Sequence, residues 1–305
     1  MTPTTQTLDI VTIDHALAAL EHMLGGCGWQ IGGSASNQKS QGVFLDWHYT
    51  NRATVDRIDE EWIKAKASTS YEELNNFLKE HGFDPEFQPF NGVGVASLFD
   101  LLVEWLNEGT LASIKANDTT YPAFTLESGF EMYQVGIGET WFEAPLIEIR
   151  TQSGLSLWIM TMSKAPDLDD PTCLALRATT LAQASKSYTD KYGHALTVPM
   201  LDINTRSNID WLMGMSSDGA KHGELAITQA FQQFRLRMNE RGARAQVATG
   251  MALERCAVPA TTPHVIDRPF LGYFTLPRRI GYGFERLPLA PFFASYDAWK
   301  QPTTL

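Results

Sequence analysis

Leu225-Ala226-Ile227-Thr228-Gln229-Ala230-Phe231-Gln232-Gln233-Phe234-Arg235-Leu236-Arg237-Met238 runs straight into Asn239-Glu240-Arg241-Gly242-Ala243-Arg244-Ala245-Gln246-Val247-Ala248-Thr249-Gly250. In the first part Phe234, Leu236 and Met238 alternate with Arg235, Arg237 and Asn239. Successive side chains of a strand point to opposite faces, so this alternation predicts a strand with one buried face. The second part consists mostly of small residues with almost nothing to bury. A variable stretch then leads to another apolar run, Asp267-Arg268-Pro269-Phe270-Leu271-Gly272-Tyr273-Phe274. Long loops without structure of their own are uncommon in compact domains and are usually functional or disordered. The competing possibility for 243–255 is a helix, because Ala, Arg, Gln and Glu all favour one and only Gly250 interrupts it.

Outward from that stretch the chain divides in two. In the front third, Ile13, Leu17, Leu20 and Leu24 recur at helical spacing, with Thr12 as the expected cap and Gly25-Gly26 as the stop. The glycine-dense stretch that follows reads as irregular. Val55, Ile58 and Trp62 mark a second helix, and Ser70-Tyr71-Glu72-Glu73 is a capping box opening a third. Leu98, Leu101, Leu102 and Trp105 predict a fourth helix over 96–107. After Gly109 the texture changes to short aromatic or β-branched runs divided by turns, over 121–126, 130–135, 146–150 and 155–162. Ser153-Gly154 marks a hairpin. A helix is expected over 167–188, strands over 198–203 and 270–274, and an irregular Pro-rich end from Pro288 to Phe293. Helices first and mostly antiparallel strands later predict an α+β fold. The expected organisation is a single domain over 1–305, mainly helical to 110 and mainly sheet from 111, with a long loop over 242–266.

Composition narrows the function. Apolar residues make up 44% of the chain and charged ones 19%, which supplies a substantial core. The formal charge of −11 argues against nucleic-acid binding, which rests on clustered Lys and Arg. No apolar run approaches a membrane span, and the N-terminal residues lack the basic and apolar regions of a secretory signal, so a cytoplasmic location is expected. Cys27, Cys173 and Cys256 are far apart and odd in number, which fits neither a disulfide framework nor a zinc site. The histidines have no metal-ligand spacing, so neither metal nor cofactor is expected.

The run from Asn239 to Thr249 resembles the hinge of a serpin reactive-centre loop. Serpin hinges carry an acidic residue, a basic one and a glycine, then a threonine or serine and a run of alanines closed by a threonine. Asp267-Arg268-Pro269-Phe270-Leu271 is similar to the strand that follows the loop in that family. Val198-Pro199-Met200-Leu201-Asp202-Ile203, the short helix expected from Asn208-Ile209 to Leu212, and 155–162 followed by Ser163-Lys164-Ala165-Pro166 resemble further family elements, in the family's order. The likeness extends over 121–296.

The resemblance implies a serpin-like fold and inhibition of a protease by cleavage and insertion of the loop. The target protease forms an acyl-enzyme at the loop, and the cut loop then enters the main sheet as a new strand. The implied hinge residues are Glu240, Gly242, Ala243, Ala245, Val247, Ala248 and Thr249. One alternating set, Ala243, Ala245, Val247 and Thr249, is compact enough for burial; the other, Arg244, Gln246 and Ala248, suits the outer face. The scissile bond is implied near Arg255, Cys256 or Ala257. Arg255 would suit a trypsin-like serine protease, and Cys256 a cysteine protease. Met200 and Ala243 depart from the family pattern, which usually has a lysine partner for Glu240 and a hydroxyl residue after the glycine. The front third is also shorter than in the family. These departures sustain the alternative of a non-inhibitory binding or structural module that assembles by loop or strand exchange. No catalytic residue is expected in either case. A separate enzyme possibility rests on Cys27 between Gly26 and Gly28-Trp29, with His194 or His264 as base, and has no supporting motif.

Overall fold

The computed structural model describes residues 4–26, 28–58, 63–99, 103–137, 140–163, 165, 172–189, 194–217, 225–243, 263–276 and 287–302. Helix α1, Ile10–Leu24, starts at Asp9, whose carboxylate accepts from the backbone N–H groups of Val11 (3.0 Å) and Thr12 (3.4 Å). These are two of the donors that a helix N-terminus leaves unpaired. The cap is therefore Asp9 and not Thr12, whose hydroxyl instead donates back to the Asp9 carbonyl at 3.2 Å. Gly25 ends the helix in the left-handed conformation, φ 84°.

The next helix begins inside the stretch read as irregular. Helix α2, Ala35–Val55, is capped by Ser34, and Val55 is its last residue rather than the start of a helix. Its inward face carries Ser40, Gln41 and His48 beside Phe44, Leu45 and Trp47. Polar residues at buried positions hide the apolar period that would mark such a helix. Strand β1, Lys64–Ser68, follows, and then helix α3, Tyr71–Glu80, which the Ser70 hydroxyl caps by accepting from Glu73 N at 3.3 Å. Glu73 itself turns to Ser68 and Lys66, so only half of the expected capping box forms.

Strand β2, Val93–Phe99, and the short strand Val103–Glu104 stand where a helix was expected over 96–107. Val93, Val95 and Ser97 face one side and Ala96 and Leu98 the other, and all five are buried. A strand covered on both faces reads as a continuous apolar run, which spacing alone does not separate from a helix. Apart from two-residue strands and single 3-10 turns, the other elements among the described residues are β3 (Thr110–Ala116), β4 (Thr119–Leu126), β5 (Phe130–Ile137), β6 (Leu146–Arg150), β7 (Ser156–Thr161), helix α4 (Cys173–Gln183), β8 (Ser185–Tyr188), β9 (Leu196–Pro199), β10 (Leu201–Ser207), β11 (Leu225–Met238), β12 (Phe270–Thr275) and β13 (Leu289–Ala294). The helix expected over 167–188 thus ends at Gln183 and gives way to β8. The Pro-rich end is a fully buried strand, β13.

Among the described residues these strands form three sheets. An antiparallel sheet joins Gln6–Thr7, β13, β12, β7, β6, β5 and β8 in that order. A smaller sheet joins His264–Val265, β9, β4 and β3. The central sheet is built on β11, flanked by β10 on one side and by β2 and β1 on the other. Its inward residues Phe234, Leu236 and Met238 pack against the antiparallel sheet, where Phe234 and Phe292 lie 6.1 Å apart, and α1 packs against both sheets. On the outer face α3 covers Ala96, Leu98 and Phe231 with Leu74 and Leu78. The α+β arrangement is the one expected from the sequence. Among the described residues no helix is long and apolar enough to cross a membrane.

Candidate functional site

The central sheet contains one pairing that breaks its antiparallel pattern. Strands β2 and β11 run parallel, from Val93 opposite Ile227 to Phe99 opposite Phe234, with an irregularity between Ile227 and Gln229. Beyond Phe99 and Phe234 the two separate, and Gly242–Ala243 lies between them. Ala243 pairs with Met238 on one side and with Val103 on the other, and Gly242 pairs with Glu104, all antiparallel. The chain leaving β11 therefore turns back and begins a new strand in the slot between its own strand and the end of β2.

Local chemistry fixes that turn. The Asn239 side-chain oxygen accepts from Arg241 N at 2.9 Å and Gly242 N at 3.3 Å, and Asn239 N donates to the Gly242 carbonyl at 2.9 Å. Trp105, 1% exposed, donates its indole N–H to the Asn239 carbonyl at 2.8 Å and its backbone N–H to the Arg241 carbonyl at 2.9 Å. Gly109 N donates to the Glu240 carbonyl at 2.7 Å. A Cβ on residue 242 would stand 2.1 Å from the Val103 carbonyl oxygen and 2.9 Å from Glu104 Cα, so only glycine fits there. Ala243 is fully buried on the same face as Met238.

Further along the parallel pair, Ser97 and Gln232 are register partners and both are buried. The Gln232 amide donates to the Ser97 hydroxyl (2.9 Å) and the Asp9 carbonyl (2.9 Å), and its oxygen accepts from Asp9 N (2.9 Å). The Thr12 and Ser97 hydroxyls are also bonded to each other. This cluster ties the two parallel strands to each other and to the start of α1. Burial pushes the Asp9 carboxyl up to about 6, although bonds from Thr12, Ala290 and Val11 favour its ionised form.

Of the residues expected in the hinge, the structure brings Glu240, Gly242 and Ala243 to the slot. Glu240 contributes its carbonyl, while its carboxylate lies 3.8 Å from Arg241, with Met200 buried and unable to pair with it. Ala245, Val247, Ala248 and Thr249 lie outside the described residues, as do Arg255, Cys256, Ala257 and Cys27. Sequence reasoning missed Trp105, Val103, Ser97 and Gln232. The signal for Gln232 was present: it is a polar residue at the inward parity of Phe234, Leu236 and Met238.

No sequence-family profile matches the chain, and no curated protein matches it. Solved structures do. Serpin48, a highly specific serpin from the insect Tenebrio molitor, superposes over 96% of this chain and 92% of its own, with TM-score 0.57 and 12% identity. The chain has the serpin fold. Human thyroxine-binding globulin, solved with its hormone bound, shares it over 95% of this chain and 91% of its own, with TM-score 0.55 and 11% identity. Tengpin, a thermophilic serpin in its native state, does so over 97% and 89%, with TM-score 0.54 and 11% identity. At these identities the likeness concerns the fold, and the chain is a divergent carrier of it, with residue choices such as Met200 and Gln232 its own. The serpin-like α+β architecture anticipated from the hinge and its flanking strands is present.

Proposed function

We propose that this chain inhibits a protease by taking its own cleaved loop into the central sheet. It acts as a single domain and not as an enzyme. The observation that carries this reading is Gly242–Ala243, already paired as the first rungs of a strand between β11 and Val103–Glu104. Continuing the Met238–Ala243 register places Ala245 opposite Leu236, Val247 opposite Phe234 and Thr249 opposite Gln232. Each of those partners is buried, so the small alternating set of the hinge faces the interior and Arg244 and Gln246 face outward. Insertion exchanges the β2–β11 parallel pairing for two antiparallel ones, and antiparallel pairing is slightly more stable per residue. Arg255 as the specificity residue makes a trypsin-like serine protease the first target, with a cysteine protease second if Cys256 takes that role.

The departure of Met200 from the expected lysine supports a second reading, a non-inhibitory module that keeps the fold and exchanges strands between copies. One experiment separates the two. The protein is incubated with trypsin and with papain and run on a denaturing gel, and its melting temperature is measured before and after loop cleavage. An SDS-resistant complex together with a steep rise in melting temperature supports inhibition. Clean cleavage with no complex and an unchanged melting temperature leaves the module.

A further inference from the structure

A second site lies on the outer face of the antiparallel sheet. Strand register sets Glu131, Glu148, Trp158 and Tyr273 in one row across β5, β6, β7 and β12, and sets Arg150 opposite Ser156 in the adjoining row. The two carboxylates are direct cross-strand neighbours, a placement that ordinarily destabilises a sheet. Arg150 holds both, at 2.6 Å from Glu131 and 3.8 Å from Glu148. Ser156 donates to Glu148 at 2.6 Å. The Tyr133 hydroxyl lies within bonding reach of both carboxylates but has one proton to give. Two negative charges thus share one guanidinium, and Glu148 is largely withdrawn from water.

Glu131, Tyr133, Glu148, Arg150, Ser156 and Trp158 line a basin of about 430 Å³, of the size that small-molecule sites occupy. Its wall is aromatic: Tyr133 and Trp158 have ring centroids 5.7 Å apart. Outside the lining, Tyr188 stands edge-on to Tyr133 at 6.4 Å with 66% of its surface exposed. The indole face already attracts a cation, because the Lys186 ammonium sits 5.2 Å from the Trp158 ring centroid while donating to the Ala182 carbonyl at the end of α4.

We infer that this basin binds a small organic ammonium ion, its charged head between Trp158 and Glu148 in the place where Lys186 now hangs. With the Lys186 head displaced, one carboxylate in excess of the Arg150 guanidinium, an aromatic wall and partial exclusion of water are the three features that recognise such a head group. Lys186 acts as an internal stand-in that the ligand displaces. The site does not depend on loop insertion, although Leu106 on its rim adjoins Trp105, which holds the hinge turn.

The test is titration calorimetry of the full chain with choline and with 3,3-dimethyl-1-butanol, its neutral isostere. Choline is expected to bind at least tenfold more tightly than the alcohol. Glu131→Gln, at a partly exposed position, is expected to weaken choline about threefold, and Glu148→Gln about tenfold. Lys186→Met removes the internal competitor and is expected to strengthen binding about fivefold. Equal affinity for choline and the alcohol overturns the inference. So does loss of choline binding in Lys186→Met, or tighter binding of acetate than of choline to the wild type, which would make the basin an anion site.

Discussion

Replacing Gly242 by valine tests the slot directly. The new Cβ would stand 2.1 Å from the Val103 carbonyl oxygen and 2.9 Å from Glu104 Cα, so more than an ångström of backbone movement in a buried strand would be needed to keep it. Overpacking by a methylene or so already costs about 1–3 kcal/mol where side chains give way, and here the obstacle is main chain. Leaving the slot is cheaper. It forfeits three backbone hydrogen bonds, to Arg241 O, Glu240 O and Gly242 O, at about 1 kcal/mol each. It also forfeits the buried Ala243 methyl, at about 0.8 kcal/mol. The freed Gly242 and Ala243 regain about 1–2 kcal/mol of conformational freedom each, so the net loss in the uncut protein is at most about 2 kcal/mol. For a chain of this length that lowers the melting temperature by at most about 3 °C. After cleavage the effect is of another order: the first rung is barred, no later residue can follow, and the rise in melting temperature expected of the wild type is abolished. Valine has the higher strand propensity, so a loss cannot come from propensity. The assay is thermal unfolding of uncut and trypsin-cut protein, with circular dichroism as the signal. A cut Gly242→Val protein that gains as much as the cut wild type would refute entry through this slot.

Gln232→Leu keeps volume but strips the bonds to Asp9 and Ser97; the Asp9 carbonyl keeps the Thr12 hydroxyl, but the buried Asp9 N–H left unpaired costs about 1–3 kcal/mol, so unfolding should occur about 3 °C lower, and a change below 1 °C would show that the cluster does not hold the strands. Burial raises the Asp9 pKa to about 6, so the folded state holds its proton more tightly than the unfolded one and loses stability as pH climbs from about 4 to 6. Asp9→Asn keeps the cap and should be the more stable protein at pH 7 by about 3 kcal/mol in urea unfolding, the advantage vanishing near pH 3.5. His48 sits between Asp14 and Glu21, with Arg52 and Asp56 beyond, and although burial opposes its charge the two carboxylates raise it to about 9. Its contribution is therefore complete below about pH 6.5 and is lost as pH rises through 9, a fall of about 3 kcal/mol that His48→Gln should flatten.

What the sequence revealed follows from how each element is buried. Strand β11 was legible because its inner half faces a core on one side only, giving clean alternation from Phe234 to Met238. The hairpin at Ser153-Gly154 was legible because turn chemistry is local: Gly154 adopts φ 88° and Arg150 pairs with Ser156. Strand β2 was not, because α3 covers its Ala96 and Leu98 while the interior takes Val93 and Val95, leaving no alternation to read. Helix α2 was hidden for the opposite reason. Its buried face includes Gln41, which bonds the Trp211 carbonyl at 2.9 Å, and His48, which bonds Asp14, so tertiary polar contacts stand where apolar residues would have marked the period. At the site, glycine and alanine at 242 and 243 were recognisable, but Trp105 and Val103, which complete the slot, lie in the stretch 96–107 that was expected to be a helix. A slot made of two segments far apart in sequence has no local signature, and only their pairing reveals it.

The direction of the two strands explains why the new rung starts where it does. A segment that reverses at the end of β11 must run antiparallel to it, and it can be antiparallel to a second neighbour only if that neighbour is parallel to β11. Strand β2 meets that condition, whereas β10, on the other flank, is antiparallel to β11 and would present the less stable parallel geometry to the same segment. The pairing that must be given up is also the weaker one, parallel and interrupted between Ile227 and Gln229, while the Ser97–Gln232 bond fastens its middle. Gly242–Ala243 lies beside Val103–Glu104, past the last parallel pair at Phe99 and Phe234. From there each further pair of residues has to undo one parallel step to make two antiparallel ones, and the first such step that meets a polar lock is the fourth inward position, Thr249 opposite Gln232. If the loop inserts as we propose, a threonine hydroxyl arriving there would take over the bond that the separation of Ser97 from Gln232 leaves open, which would account for a polar residue at that position and alanine or valine at those before it.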